Sequence, residues 1–175
     1  MVGRDVFQIP HRHKYANVGR NKVAMIISFD LDDTLIPGKI HFATERQNLI
    51  QRLVQIEKIR VGTNDLFKSL RTQGHKVYIY TTSLRSLTKI KWTLLSYGIR
   101  VDKIINQKVH DQIFKENYNM SSKYPPAFNI DIHIDDSKGV GIEGTRNNFR
   151  TIIIAEQTVD WVDFILKSLS TAQLP

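Results

Sequence analysis

Val23-Ala-Met-Ile-Ile-Ser-Phe-Asp-Leu-Asp-Asp-Thr-Leu-Ile36 is the stretch that decides the fold. Its first half is an apolar run of the kind that forms a buried parallel strand. The run ends abruptly in Asp30, Asp32 and Asp33. In open α/β sheets the carboxyl ends of strands are where ligands bind. Three carboxylates in four residues repel one another, and a divalent cation relieves that repulsion. Oxygen ligands of this type suit Mg²⁺. The plainer reading is a solvated acidic turn or a helix cap.

The rest of the chain supplies further strand ends of the same character. Val77-Tyr-Ile-Tyr-Thr-Thr-Ser83 is an apolar run closing in hydroxyls, directly after Gly74-His75. Ile130-Asp-Ile-His-Ile-Asp-Asp-Ser137 closes in an acidic pair, Asp135 and Asp136, with Gly139 and Gly141 following. Lys123 stands between these two in Ser122-Lys-Tyr-Pro-Pro126.

Alternation of strand-like and helix-like segments links these motifs. Strands are expected at 23–29, 76–80, 103–106, 131–134 and 151–155. Helices are expected at 44–58, from the Gly62-Thr-Asn-Asp65 cap through Arg71, at 86–97, at 109–117 and at 159–169. Leu49, Ile50, Leu53, Val54 and Ile56 give the first helix its apolar pattern. Val159, Val162, Phe164, Ile165 and Leu169 do the same for the last. Such alternation argues for a five-stranded, Rossmann-like parallel sheet covered by helices on both faces. In a parallel sheet all strands point one way. The ends carrying Asp30 and Asp32, Thr81, and Asp135 with Asp136 therefore meet at one edge, although they lie far apart in sequence.

Asp30-Leu-Asp-Asp-Thr34 resembles the first motif of the haloacid dehalogenase (HAD) superfamily, Asp-x-Asp-x-Thr after an apolar strand. The Thr81, Lys123 and Asp135-Asp136 segments resemble its second, third and fourth motifs in the right order. The likeness covers roughly residues 23 to 156. It implies a Mg²⁺-dependent phosphatase. Asp30 would be the nucleophile that forms an aspartyl-phosphate, and Asp32 the general acid and base. Thr81 would bind phosphate, with Thr82 and Ser83 as alternatives. Lys123 would neutralise charge, with Lys108 as the alternative. The metal would be held by Asp30, the backbone carbonyl of Asp32, Asp136 and Asp135. Relatives that act on carbon–halogen bonds lack the second acid, because a halide leaving group needs no proton, so Asp32 speaks for phosphoryl transfer. Asp33 replaces a commoner Gly and is expected to cap the turn. Thr34 is expected to hydrogen-bond within the loop, and Ser137 to steady the metal shell.

Composition narrows the setting. The chain has 175 residues, 41% hydrophobic, and no cysteine. Disulfide frameworks and thiolate metal sites are excluded. No apolar run reaches the ~20 residues a membrane helix needs, and the basic N-terminus lacks a signal-peptide core. A cytoplasmic location is the expectation. The formal net charge is +8, which favours anionic partners without naming one. Residues 1–22 hold Arg4, Arg12, Lys14, Arg20 and Lys22 against Asp5, so five minus one gives +4, half of the total. They read as a basic extension before a domain at 23–175. His11 and His13 alone are a weak metal pair. The intervals between motifs leave room for no sizeable cap domain, so the site is expected to be open. A phosphorylated small molecule or macromolecule fits it. Nucleic acid is allowed by charge but unsupported by any aromatic-interleaved platform. The competing reading is a non-catalytic HAD-like binding or regulatory module working through a basic face. Neither the substrate nor the oligomeric state is legible.

Overall fold

A computed structural model describes residues 23–114, 122–155, 158 and 160–172. Five strands form one sheet: β1 (Ile26–Phe29), β2 (Lys76–Tyr80), β3 (Lys103–Ile105), β4 (Ile132–Asp135) and β5 (Thr151–Ile153). Their order is β3-β2-β1-β4-β5, and every pairing is parallel. Phe29 lies opposite both Ile79 and Ile134. That register brings the ends of β1, β2 and β4 level. The strand order reverses between β1 and β4, where open α/β sheets hold their ligands.

Period-2 alternation divides the strands between two faces. Ile27, Phe29, Val77, Ile79, Ile132 and Ile134 share one core. Leu66, Phe67 and Leu70 of α2 (Thr63–Thr72) pack into it, with Ile90 and Leu94 of α3 (Leu87–Ser96). Trp161, Ile165 and Leu169 of α6 (Trp161–Ala172) complete this layer. The opposite face is smaller and more polar. Tyr80, Ile105, Phe128 and Ile130 cluster there, flanked by Val109 of α4 (Gln107–Ile113). Right-handed crossovers require this division, because connections running toward β3 and those running toward β5 fall on opposite faces. α5 (Lys138–Arg146) joins β4 to β5, and its glycines permit close packing. A Cβ on Gly144 would come within 2.9 Å of the Phe149 carbonyl oxygen and of Thr151 Cγ2.

The helix expected at 44–58 is replaced by one short turn of helix, α1 (Leu49–Leu53). Asn48 and Gln51 form a capping box, and Gln55 at φ 53° terminates it. The apolar spacing is helical, but the face has nothing to cover: Leu49 is 82% and Leu53 83% exposed. Residues before α1 are held in extended form instead, through the Thr44–Arg60 bridge. Smaller differences lie at the ends of elements. α4 starts at Gln107 because Asn106 caps it, and residues 115–117 of its expected span lie outside the described residues. In α6 Phe164 is 40% exposed while Trp161 is buried. Val159, residues 1–22 and the His11–His13 pair also lie outside the described residues. Among the described residues no second folded unit interrupts the connections, and no helix is long and apolar enough to cross a membrane.

Candidate active site

The loop after β1 is wound tightly. The Leu35 and Ile36 amides both donate to the Leu31 carbonyl, at 3.0 and 2.8 Å. Asp33 adopts φ 60°, a left-handed conformation that Asp tolerates better than most residues. Its Oδ1 accepts from the amides of Gly38 and Ile40, at 2.9 and 2.8 Å. Asp33 thus caps the turn, and Asp30 and Asp32 are left to project elsewhere.

Asp30, Lys123 and Asp135 meet below this loop. Lys123 Nζ donates to Asp30 Oδ1 and to Asp135 Oδ2, both at 2.5 Å. All three side chains are buried. Burial pushes the Asp30 carboxyl up to about 7, against the pull of Lys123, and the like charge of Asp135 adds to the rise. Asp135 goes the other way. Burial would raise it too, but the His133 hydrogen bond and the Lys123 charge hold it well below the carboxylate range. Burial also opposes the charge on Lys123, yet Asp30 and Asp135 together raise its affinity for the proton. One ammonium therefore organises both carboxylates, and of the two Asp30 holds a proton more tightly than Asp135.

His133 and Ser28 extend this array through the interior. His133 Nε2 is 3.0 Å from Asp135 Oδ2, and its Nδ1 is 2.7 Å from Ser28 Oγ. Burial and the charge of Lys123 depress His133 to about 4, so it is neutral at physiological pH. A neutral ring fits one arrangement here: Nε2–H donates to the carboxylate and Nδ1 accepts from Ser28. Both residues lie on the same face as their strands' catalytic candidates, two positions before Asp30 and Asp135. That spacing was visible in the sequence as Ser-Phe-Asp and His-Ile-Asp, but strand alternation alone does not distinguish a support from a polar accident.

Asp32 stands apart from this buried group. Arg85 Nη1 contacts its carboxylate at 2.8 Å, and Arg85 Nη2 contacts Glu57 Oε1 at 2.8 Å. Arg85 was not singled out by the sequence. Its role comes from a turn after β2 that only the fold brings back over the loop. Asp136 accepts from Thr34 Oγ1 at 3.0 Å. Thr34 thus spans to the β4 end, where a bond within its own loop was expected. Ser137 donates its amide to Asp135 Oδ1 at 2.8 Å.

Thr81 is buried at the end of β2, and its Oγ1 accepts from the Ser83 amide at 3.1 Å. Its hydroxyl proton remains a donor. Thr82 is exposed and Ser83 is half-buried. Lys108 is exposed on α4, whereas Lys123 is 3% exposed and bound to Asp30. Lys123 is held in place by its neighbour: the Tyr124 amide donates to Tyr80 Oη at 2.8 Å, and Tyr80 Oη lies 2.6 Å from His110 Nδ1.

Among the described residues no three His, Cys, Asp or Glu side chains form a metal cage. Mg²⁺ does not need one. It commonly takes one or two protein carboxylates and completes its shell with water and phosphate oxygens. Lys123 takes one oxygen of Asp30 and Thr34 one oxygen of Asp136, so each carboxylate has a second oxygen outside those bonds. Both Asp135 oxygens are engaged, by Lys123 with His133 and by Ser137. Asp30 and Asp136 with the Asp32 carbonyl therefore fit Mg²⁺ better than a set that includes Asp135.

No protein-family model matches the chain, and no curated protein matches it. Solved structures do. One is a protein from Porphyromonas gingivalis assigned by prediction as a HAD-like family hydrolase. It is 14% identical with a TM-score of 0.46, over 83% of this chain and 98% of that one. Another, from Vibrio cholerae, is assigned without demonstration as a 3-deoxy-D-manno-octulosonate 8-phosphate phosphatase. It is 15% identical with a TM-score of 0.45, over 89% of each chain. Likeness of that size carries no statement about activity. What this chain's own geometry defines is a parallel α/β protein with an acidic, lysine-bridged site at the switch point of its sheet.

Proposed function

We propose that this chain is a Mg²⁺-dependent phosphohydrolase of the HAD type, cleaving a phosphate monoester through an aspartyl-phosphate on Asp30. The observation that carries the reading is Lys123 lying between Asp30 and Asp135 at the carboxyl ends of β1 and β4. Burying three charged groups is a poor way to gain stability, since desolvation costs several kcal/mol per ion. At a strand edge such a group makes sense as chemistry.

In this reading Asp30 attacks phosphorus, and the ester oxygen leaves with a proton from Asp32. Asp32 then takes a proton from water, which attacks the same phosphorus and frees Asp30 and inorganic phosphate. Lys123 offsets negative charge on Asp30 and the transferring phosphoryl group. Two unit charges ~4 Å apart interact by ~4 kcal/mol at an effective dielectric of 20, so this screening is worth orders of magnitude in rate. Thr81 donates its hydroxyl to a phosphate oxygen. Arg85 orients Asp32 at the rim. Mg²⁺, when bound by Asp30, the Asp32 carbonyl and Asp136, would supply further charge compensation to nucleophile and phosphate. The substrate is a phosphorylated compound reaching an open site.

Hydrolysis of a generic aryl phosphate tests this. Activity should require Mg²⁺, vanish on chelation and return on re-addition. Asp30→Asn, nearly isosteric but a poor nucleophile, should abolish turnover with the fold intact. Wild-type rates in that variant would sink the assignment. Complete inactivity of the Mg²⁺-loaded protein over a broad panel of phosphomonoesters would favour the binding-module reading.

A further inference from the structure

Arg60 is a second buried cation that the proposed reaction does not use. It is 5% exposed. Among the described residues no carboxylate lies within ion-pair distance of its guanidinium. Nη2 donates to the Thr158 carbonyl at 3.3 Å, and Nη1 reaches the Thr34 carbonyl at 3.5 Å, a long contact. The guanidinium carbon sits 4.5 Å from the centre of the Phe42 ring and 4.8 Å from that of Trp161. Cation–π contacts compensate a buried charge only in part. Removing an ion from water costs several kcal/mol even after relaxation. Burial lowers the proton affinity of Arg60, and Asp136 offsets only part of that cost through space. Two ring faces and two neutral carbonyls are the only ring and hydrogen-bond contacts of the guanidinium among the described residues.

Arg60 lines a cavity of about 500 Å³ with His41, Phe42, Thr158, Asp160 and Trp161. The walls are fixed without it. The Arg60 amide donates to the Leu35 carbonyl at 2.7 Å, and Trp161 Nε1 donates to the Val61 carbonyl at 2.9 Å. The Leu35 and Val61 carbonyls are thus taken by the Arg60 amide and the Trp161 indole, while the fork of Arg60 retains N–H donors beyond its two carbonyl contacts. A planar fork of N–H groups is matched by the two oxygens of a carboxylate or phosphoryl group. Asp160 and Asp163 stand exposed at the rim. In high dielectric they act weakly on the buried fork, but they disfavour a polyanion. The cavity suits one anionic group.

We infer that the Arg60 cavity is an anion-binding site, separate from the Asp30 centre, that takes a single carboxylate or phosphoryl group between Phe42 and Trp161. Arg60 shares the Leu31–Ile36 loop with the Asp30 centre through Leu35 and Thr34. An anion there is either a second group on the molecule that Asp30 attacks or a separate small ligand.

Trp161 reports on the cavity directly. The chain has two tryptophans, and Trp92 is 64% exposed on α3. In full-length protein carrying Trp92→Phe, Trp161 is the sole indole. Inorganic phosphate and acetate are titrated at constant ionic strength against chloride. A saturable change in Trp161 emission is expected, weakened at least tenfold by Arg60→Met. Because that substitution removes bonds to two carbonyls, Ala43→Phe is the second variant. Ala43 lines the cavity and is exposed, so the ring blocks entry while Arg60 stays in place. Asp30→Asn in the same background should keep the response. An aryl phosphate bearing a carboxylate identifies the source. A KM tenfold below that of its uncharged analogue, equalised by Arg60→Met, marks the anion as part of the substrate. Equal KM values with acetate still bound mark it as a separate ligand. Failure of all hydrolysis would sink the phosphohydrolase reading and leave the fluorescence result standing. The inference is overturned by no saturable response to either anion, by a response that survives Ala43→Phe, or by one that disappears with Asp30→Asn.

Discussion

Lys123 is separated from Asp30 by 93 positions in the chain yet lies 2.5 Å from it. That contact has a consequence for pH. Asp30 is raised to about 7, mainly by burial, so the folded chain keeps a proton that the unfolded chain sheds near the ordinary value of 3.8. Stability linked to Asp30 is fully present below pH ~4 and is lost as pH rises toward 7. Asp30→Asn removes that loss. In metal-free buffer its melting temperature should match wild type near pH 4 and exceed it at pH 8, where the stability gain is on the order of 1–4 kcal/mol. Mg²⁺ should raise the wild-type melting temperature at pH 8 and leave the variant nearly unchanged. Equal melting curves at both pH values would mean that Asp30 is not desolvated as described. Asp32 calls for a different readout. Asp32→Asn should slow hydrolysis of an alkyl phosphate by ~10² to 10⁴, and slow the first step on a nitrophenyl phosphate far less, because that leaving group needs little protonation. A variant that lost Mg²⁺ affinity but kept its maximal rate would remove Asp32 from acid–base work.

The strands were the most legible elements, because a parallel strand buried on both faces writes itself as a largely apolar run. Asp30, Thr81 and Asp135 could be placed for the same reason: each closes such a run, interrupted only by Ser28 in β1 and His133 in β4. α1 was misjudged because helical spacing at Leu49, Ile50, Leu53 and Val54 records a possible face, not a partner for it. α5 was not anticipated at all. Lys138-Gly-Val-Gly-Ile-Glu-Gly144 has three poor helix formers, and the reason for them is tertiary. Gly141 faces Ile153, where a Cβ would stand 3.1 Å from Cγ1, and Gly144 faces Phe149 and Thr151 more closely still. Arg85 and Arg60 were hidden too, since each depends on a partner brought in by another segment. Gly144→Ala tests the packing account. The added methyl gains helix propensity but must displace a backbone carbonyl, so a net loss of about 1–3 kcal/mol is expected from chemical denaturation. A neutral or stabilising result would show that α5 can shift away from β5 at no cost.

At the scale of the molecule, charge and openness bear on what reaches the site. Among the described residues the connections of the sheet add no second folded unit. The net charge is +8, and residues 1–22 contribute five basic groups against one acid, or +4. A polyanionic substrate would reveal itself through salt. Each duplex phosphate neutralised contributes a slope of roughly −0.9 in log affinity against log salt. Deleting residues 1–22 would flatten that slope. The lack of an aromatic-interleaved basic platform argues for a small substrate instead. The expected outcome is therefore a KM for an aryl phosphate that changes little between 50 and 200 mM salt (roughly the range over which nucleic-acid binders lose most affinity). It should change little again when residues 1–22 are removed, and the intact protein should retain no oligonucleotide at low salt. Steep, arm-dependent oligonucleotide binding would reverse the choice of substrate class while leaving the Asp30 chemistry as it stands. The discriminating measurement is a binding isotherm at several salt concentrations on full-length and truncated protein, with aryl phosphate turnover recorded in the same buffers.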